Sequence, residues 1–157
     1  MFAHQSQAMS FAKEVHMNVK IDELMTKQVM TTTPSQRIGH VKSVMNDNGI
    51  HAMPVVNPEG EPIGIVSTSD FLNHYSDAAP IRSLMSKKVY TVNAYDGPHI
   101  AARVMRNHHL HRVVVTHEKK VVGILSSFDL LCLVEDRRYT AKNAPTKSKS
   151  RRGQQED

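Results

Sequence analysis

Apolar and polar positions alternate along this chain in two ways, one with the period of a helix and one with that of short strands. Between residues 38 and 45 the apolar side chains recur every three or four positions, which predicts an amphipathic helix that Asn48-Gly49 ends. Apolar runs at 53–56 and 63–66 predict two strands, joined by a turn at Pro58-Glu59-Gly60.

The same order of elements is predicted a second time further along the chain. The first set opens with a helical turn at 21–25 and a strand at 29–33, and closes with a helix that begins near Phe71. The second set has strands at 89–92, 112–116 and 121–125, helices at 100–107 and 129–134, and a turn at 118–120. The segment 73–80 links the two sets.

A heptapeptide marks the duplication most clearly. The motif from Gly64 to Asp70 returns from Gly123 to Asp129, with a glycine, two aliphatic residues, a serine and a final aspartate in each copy. The spacing is 59 residues here and 60 upstream, where His51 returns as His111. This period exceeds that of solenoid repeats, so two small globular copies are expected.

The net charge of +5 comes entirely from the C-terminal segment. Residues 137–157 hold seven of the 20 Lys/Arg residues and two of the 15 Asp/Glu residues, which leaves the rest of the chain balanced at 13 of each. Because this segment is almost without apolar residues, we predict a disordered basic tail. A nucleic-acid contact is expected only through 137–152, and a solubilising tail is the plainer interpretation.

Composition also limits location and class. The chain has no stretch of eighteen apolar residues, so membrane insertion is not expected, and no secretory leader is apparent. The only cysteine, Cys132, suits a reducing compartment, and a cytoplasmic location is expected. Residues 1–17 are interpreted as a weakly helical N-terminal extension.

The ordered motifs resemble those of the CBS domain, named after cystathionine β-synthase, over residues 18–134. The first copy carries Leu24-Met25-Thr26, Val29-Met30-Thr31, the run from His51 to Val56 and the Gly64 motif; the second carries Leu84-Met85-Ser86, Val89-Tyr90-Thr91, the run from His111 to Val115 and the Gly123 motif. Two departures stand out. Val114 replaces the usual proline of the second copy, and Ala52 stands where a basic residue is possible.

The resemblance implies an α+β fold, with two β-α-β-β-α repeats at 18–75 and 76–136 packed as a pseudo-twofold pair, or Bateman module. It implies a stand-alone, non-catalytic regulator without a required cofactor. Such a module binds AMP, ADP, ATP, S-adenosylmethionine or NAD in the clefts between its repeats, forms a homodimer and signals to a regulated protein that the sequence does not name.

Asp70 and Asp129 are the candidate ribose-binding residues. One carboxylate can accept hydrogen bonds from both ribose hydroxyls, and a position at a helix start also attracts phosphate. Ser67 and Ser126, three residues earlier, can reach a phosphate. The alternative is that both pairs only cap their helices.

The resemblance assigns further contacts. His111 and Arg112 would hold phosphate opposite Asp70, whereas the Asp129 cleft would contain His51 and lack an arginine because position 52 is Ala52. The base-binding segments would contribute Val29, Met30, Thr31, Val89, Tyr90 and Thr91.

Other functions receive less support from the sequence. His108, His109 and His111 could ligate a metal, but His108 and His109 are expected to end a helix, so no metal site is predicted. No nucleophile with an evident base and no phosphate-binding glycine loop is present. Two alternatives to ligand sensing remain open, namely a ligand-free dimerisation scaffold and a nucleic-acid adaptor that acts through the tail.

Overall fold

The computed structural model describes residues 19–135, so the predicted N-terminal extension and basic tail lie outside the described residues. The helices are α1 (Ile38–Asp47), α2 (Pro98–His108) and α3 (Ser127–Glu135), and the strands are β1 (Ala52–Val56), β2 (Pro62–Ser67), β3 (Thr91–Asn93), β4 (Arg112–His117) and β5 (Lys120–Ser126). Short 3₁₀ turns cover Ile21–Glu23, Thr68–Leu72 and Ile81–Ser83. Between residues 19 and 135, no helix combines the length and apolar character needed to cross a membrane.

Each repeat has its own small sheet, and the mixed helix and strand content confirms the α+β fold. In the first repeat, β1 and β2 pair antiparallel, with Ala52 opposite Ser67. In the second repeat, β4 pairs with β5 in the same way, with Arg112 opposite Ser126, and β3 adds a parallel edge. The first residues of β1 and β4 therefore lie beside the serines of the repeated motif.

The prediction of a strand at 29–33 is wrong, because this segment forms only an isolated bridge between Thr32 and Val55. Its counterpart in the second repeat does form β3, and the Val114 amide donates to the carbonyl oxygen of Tyr90 at 3.2 Å. The first repeat has Pro54 at the position equivalent to Val114, and proline has no N–H to donate. The missing donor shortens the ladder.

The predicted helix near Phe71 is also shorter than expected. The Thr68–Leu72 turn ends where Asn73 adopts an extended backbone (φ −77°, ψ 159°). The second repeat continues as α3 through a run of leucines, which favour helix, whereas the first repeat continues through asparagine, histidine and serine. The two copies of the motif therefore share a start but not an end.

The opening turns of the two repeats are exchanged. Ile21 is fully buried in the core of the second repeat, beside Val113 and Leu125, and Ile81 is fully buried in the core of the first. Backbone hydrogen bonds fix both crossings: Thr26 and Ile124 bond each other at 2.9 and 3.1 Å, and Ile65 and Ser86 at 2.9 and 3.0 Å. Each hydrophobic core is thus completed by the other repeat.

The β4–β5 hairpin contains strain that a substitution can relieve. Glu118 and Lys119 form its two-residue turn with φ values of +48° and +67°, a conformation that favours Asn-Gly. We expect Glu118→Asn/Lys119→Gly to stabilise the protein by about 1 kcal/mol, measured by urea unfolding. The Glu118→Asn/Lys119→Ala variant is the control, because alanine does not relieve the strain at position 119; equal stability of the two variants would contradict this explanation.

Candidate functional site

A cleft of about 480 Å³ lies between the two repeats. The first repeat contributes the start of β1 and the end of β2 with the 3₁₀ turn that follows. The second repeat contributes the segment before β3 and the junction of α2 with β4. Six of the predicted site residues line this first cleft: His51, Ser67, Asp70, Tyr90, His111 and Arg112. The structure thus brings the motif of one repeat against the His-Arg pair of the other.

Asp70 is held in place by the backbone of its own motif. Its Oδ2 accepts a hydrogen bond from the Ser67 amide at 2.7 Å and another from the Ser67 hydroxyl at 3.1 Å. The Ser67 hydroxyl also lies 2.9 Å from the Ser69 hydroxyl. The capping alternative is therefore present in the structure, but it engages only one oxygen of the carboxylate among the described residues. Oδ1 remains available to a ligand.

Basic residues of the second repeat line the same cleft as this carboxylate. Arg112 is half-buried, whereas His109, His111 and Lys88 are exposed at the cleft surface. A hydrogen bond with the Tyr90 side chain raises the pKa of Lys88 above its ordinary value. Lys88 and Arg112 give the second-repeat wall of the cleft a positive charge that complements an anionic group.

Tyr90 lines the cleft but already has a stacking partner. Its ring stacks on that of His108, with centroids 4.1 Å apart and planes 30° apart, and Lys88 Nζ lies 5.4 Å from its centroid. The other predicted base-binding residues are divided: Val29 and Met30 line a second cleft, and Thr31, Val89 and Thr91 line neither cleft. Their role in binding a base stays a prediction.

A second, smaller cleft of about 130 Å³ lies across the pseudo-twofold axis. Its lining residues are Thr26, Gln28, Val29, Met30, Ile50, His51, Ala52, Arg112 and Ile124. His51 lines this cleft, as expected. The cleft was expected to lack an arginine, but Arg112 lines it as well as the first cleft. The first residues of β1 and β4 face the same axis, so a side chain there is shared.

Ser126 and Asp129 line neither of these clefts. The Asp129 carboxylate accepts a hydrogen bond from the Ser126 amide at 2.8 Å, and the Ser126 hydroxyl accepts one from the Asp129 amide at 3.1 Å. This reciprocal pair caps α3. Their predicted ligand contacts stay predictions, and the capping role is the one that the geometry shows.

Several lining residues escaped the sequence reasoning, among them Lys88, His109, Thr26 and Gln28. The repeat alignment contains a signal for two of them. Lys88 is the counterpart of Gln28, and His109 is the counterpart of Gly49, so in each case a basic residue replaces an uncharged one. His109 also keeps the left-handed backbone of that glycine (φ +54° against +62°), which is uncommon for a side chain with a Cβ.

Within residues 19–135, no group of three or more His, Cys, Asp or Glu side chains has an arrangement that could hold a metal ion. His108 is stacked on Tyr90, whereas His109 and His111 line the cleft. The three histidines that are close in sequence therefore do not converge on one point.

Comparison with known proteins agrees with this architecture. An uncharacterized protein of Methanocaldococcus jannaschii is 27% identical over 137 residues, which cover 76% of this chain and 32% of that protein. The chain spans less than half the length of the first curated relatives that it matches. These relatives are therefore larger proteins that share this region.

Two solved structures have the same fold. The CBS domain protein PAE2072 of Pyrobaculum aerophilum, complexed with AMP, is 24% identical with a TM-score of 0.66, covering 71% of this chain and 90% of that one. The CBS domain pair of protein MJ0100, in complex with 5′-methylthioadenosine and S-adenosyl-L-methionine, is 21% identical with a TM-score of 0.68, covering 76% and 98%.

The sequence model of the CBS domain matches residues 21–77 and again residues 81–136. Together these matches cover well over half of the chain and coincide with the two structural repeats. The chain therefore belongs to the CBS domain family and carries two tandem copies of the domain.

Proposed function

We propose that this protein is a non-catalytic regulatory module that binds an adenosine-containing ligand with a phosphate group in the first cleft. The observation that carries the proposal is the meeting of Asp70 with His111 and Arg112 across the repeat boundary. One repeat thereby supplies a carboxylate that can accept hydrogen bonds from a ribose. The other repeat supplies two side chains that can donate hydrogen bonds to a phosphate, so a single ligand contacts both repeats. The AMP complex of the Pyrobaculum aerophilum protein and the adenosyl ligands of the MJ0100 pair support this ligand class.

The chemistry of the cleft accounts for each part of such a ligand. The Oδ1 atom of Asp70 can accept from the ribose hydroxyls while Oδ2 stays bonded to Ser67. Arg112 and Lys88 supply positive charge for a phosphate. A volume of about 480 Å³ lies within the ~300–1,000 Å³ typical of small-molecule sites, so an adenine nucleotide fits.

Replacing Arg112 tests the proposal directly. We expect Arg112→Ala to weaken ATP binding about tenfold or more and to leave adenosine binding unchanged, because a charge-assisted hydrogen bond to phosphate contributes roughly 1.5–3 kcal/mol. Isothermal titration calorimetry with both ligands measures the difference. Protein freed of bound nucleotide by unfolding and refolding is required, and mass spectrometry of the released material identifies the natural ligand class.

Arg106→Ala is the matched control, since Arg106 is exposed on α2 and lines neither cleft. It removes the same charge and should leave both affinities unchanged. An Arg112→Ala variant that discriminates between ATP and adenosine as the wild type does would contradict the assignment. If no adenosyl ligand binds or raises the melting temperature of the wild type, the scaffold alternative is favoured, in which the serine–aspartate pairs act only as caps.

We further propose that the module acts as a homodimer. Phe128, Leu131 and Val134 form an exposed apolar stripe on α3, with 78%, 57% and 62% of their surfaces accessible, and Leu72 is 87% accessible. Leu72 is the counterpart of Leu131 at the 59-residue spacing of the motif. The same apolar position is therefore exposed in both repeats, which suits a two-fold contact with a second copy of this chain.

Substitution within this stripe tests the dimer. We expect Phe128→Asp to raise the dimer dissociation constant about tenfold, because it places a charge in an apolar contact. Sedimentation velocity over a dilution series measures the change, and circular dichroism checks the fold. Glu135→Gln, at the exposed end of the same helix, is the control; a wild-type protein that stays monomeric at all concentrations would rule out the homodimer.

A further inference from the structure

The second cleft has the composition of a small-anion site. Its polar lining residues are Thr26, Gln28, His51 and Arg112, which offer a hydroxyl, an amide, an imidazole and a guanidinium group. All four can donate hydrogen bonds, and no Asp or Glu lines this cleft, whereas the first cleft contains Asp70. An oxyanion would meet donors here without meeting a carboxylate.

The size of the cleft narrows the class of ligand. Its volume of about 130 Å³ lies well below the ~300–1,000 Å³ of clefts that enclose drug-sized ligands, which favours a ligand smaller than a nucleotide. The same volume exceeds several times the ~30 Å³ that a water molecule occupies in the liquid, which leaves room for a tetrahedral oxyanion.

Arg112 connects this cleft to the first one. This residue is half-buried and lines both clefts. Within residues 19–135, only the His117 imidazole and the Glu118 carboxylate, 3.9 Å apart, come within salt-bridge distance of each other, so no carboxylate in that range pairs with Arg112. A half-buried guanidinium in that position favours an anion, and a single guanidinium cannot serve two anions fully.

We propose that the second cleft binds a phosphate-sized oxyanion, and that this anion competes through Arg112 with the phosphate of a ligand in the first cleft. The oxyanion site is inferred from the residues of the second cleft alone, whereas the competition rests on the proposed function of the first cleft. Position 52 explains why competition arises: the pseudo-symmetric partner of Arg112 is Ala52, which supplies no second cation. Free phosphate would thereby lower the affinity of the first cleft for a nucleotide.

Inorganic phosphate is the probe for the site itself. We expect calorimetry on the full chain to show phosphate binding that is weakened about tenfold by Thr26→Val/Gln28→Ala, because two hydrogen-bond donors are lost. Thr33→Val/Gln36→Ala is the control; both of its residues are exposed and line neither cleft. Equal phosphate affinity in wild type and the Thr26/Gln28 variant would overturn the site.

The coupling is tested by measuring ATP and adenosine affinities with and without inorganic phosphate, at an ionic strength held constant with sodium chloride. We expect phosphate to weaken ATP binding several-fold and to leave adenosine binding unchanged. The Thr26/Gln28 variant should lose this antagonism, and Ala52→Arg should lose it too by supplying a second guanidinium.

The possible failures are distinct. Antagonism that persists unchanged in the Thr26/Gln28 variant means that phosphate competes inside the first cleft, which overturns the coupling. Phosphate binding that depends on Thr26 and Gln28, in a protein that binds neither ATP nor adenosine, supports the second-cleft site and contradicts the proposed function instead.

Discussion

Asp70→Asn is expected to lower the affinity for adenosine about tenfold to a hundredfold. The substitution keeps the shape of the side chain and an oxygen that can accept the Ser67 amide hydrogen bond. It removes the negative charge, and hydrogen bonds to a charged group contribute roughly 1.5–3 kcal/mol. Because adenosine has no phosphate, the loss reports on the ribose end of the cleft alone. Calorimetric titration with adenosine measures it.

Asp129→Asn is a control that the duplication itself provides. Asp129 accepts the Ser126 amide at 2.8 Å, as Asp70 accepts the Ser67 amide at 2.7 Å, but it lies outside both clefts. The two variants should lose similar amounts of stability through weaker capping, and only Asp70→Asn should lose adenosine affinity. If both variants bind adenosine as tightly as the wild type does, the carboxylate of Asp70 is only a cap.

Gly123→Ala is expected to destabilise the fold by about 1–3 kcal/mol, the usual result of forcing a methyl group into a packed interior. A Cβ at this position would overlap the Met25 Sδ and would lie 2.9 Å from Met25 Cγ and 3.1 Å from the Thr26 carbonyl oxygen. The side chain of Met25 can move aside, but Thr26 is tied to Ile124 by two backbone hydrogen bonds. Urea denaturation with a fixed m-value measures the change.

Gly64→Ala is the matched substitution in the first repeat. There a Cβ would overlap the Met85 Sδ, and its three nearest contacts are all side-chain atoms of that methionine. Since methionine is flexible, we expect a smaller loss of stability than for Gly123→Ala. Adding Met85→Ala to Gly64→Ala should restore a larger part of the lost stability than adding Met25→Ala to Gly123→Ala does. Equal losses at the two glycines would show that the Thr26 backbone is not the rigid contact.

The sequence predicted the duplication and most strand positions because both are local signals. The motif from Gly64 to Asp70 and its repeat marked two equivalent units, and the run from Arg112 to Thr116 lies within β4. The strand at 29–33 could not be excluded locally, because what shortens it is a proline on a different strand, Pro54. Propensity within a segment carries no information about whether its partner has a donor.

The candidate site was predictable in its residue types and not in its arrangement. The pairing of Asp70 with His111 and Arg112 came from a resemblance, and the first cleft does bring those side chains together. That Arg112 faces two clefts depends on how closely β1 and β4 approach the axis, which is a three-dimensional quantity. Lys88 was missed because its importance appears only when it is compared with Gln28 in the other repeat.

The exchanged opening turns restrict how the proposed regulatory module could change shape when a ligand binds. In a two-domain clamshell, the halves swing about a linker while each interior stays intact. Here such a swing would pull Ile21 and Ile81 out of interiors in which they are fully buried, at a cost of roughly 1.5–3 kcal/mol each. The two repeats are therefore expected to move as one body, and the proposed ligand would act on a partner through side chains and surfaces at the edge of the cleft.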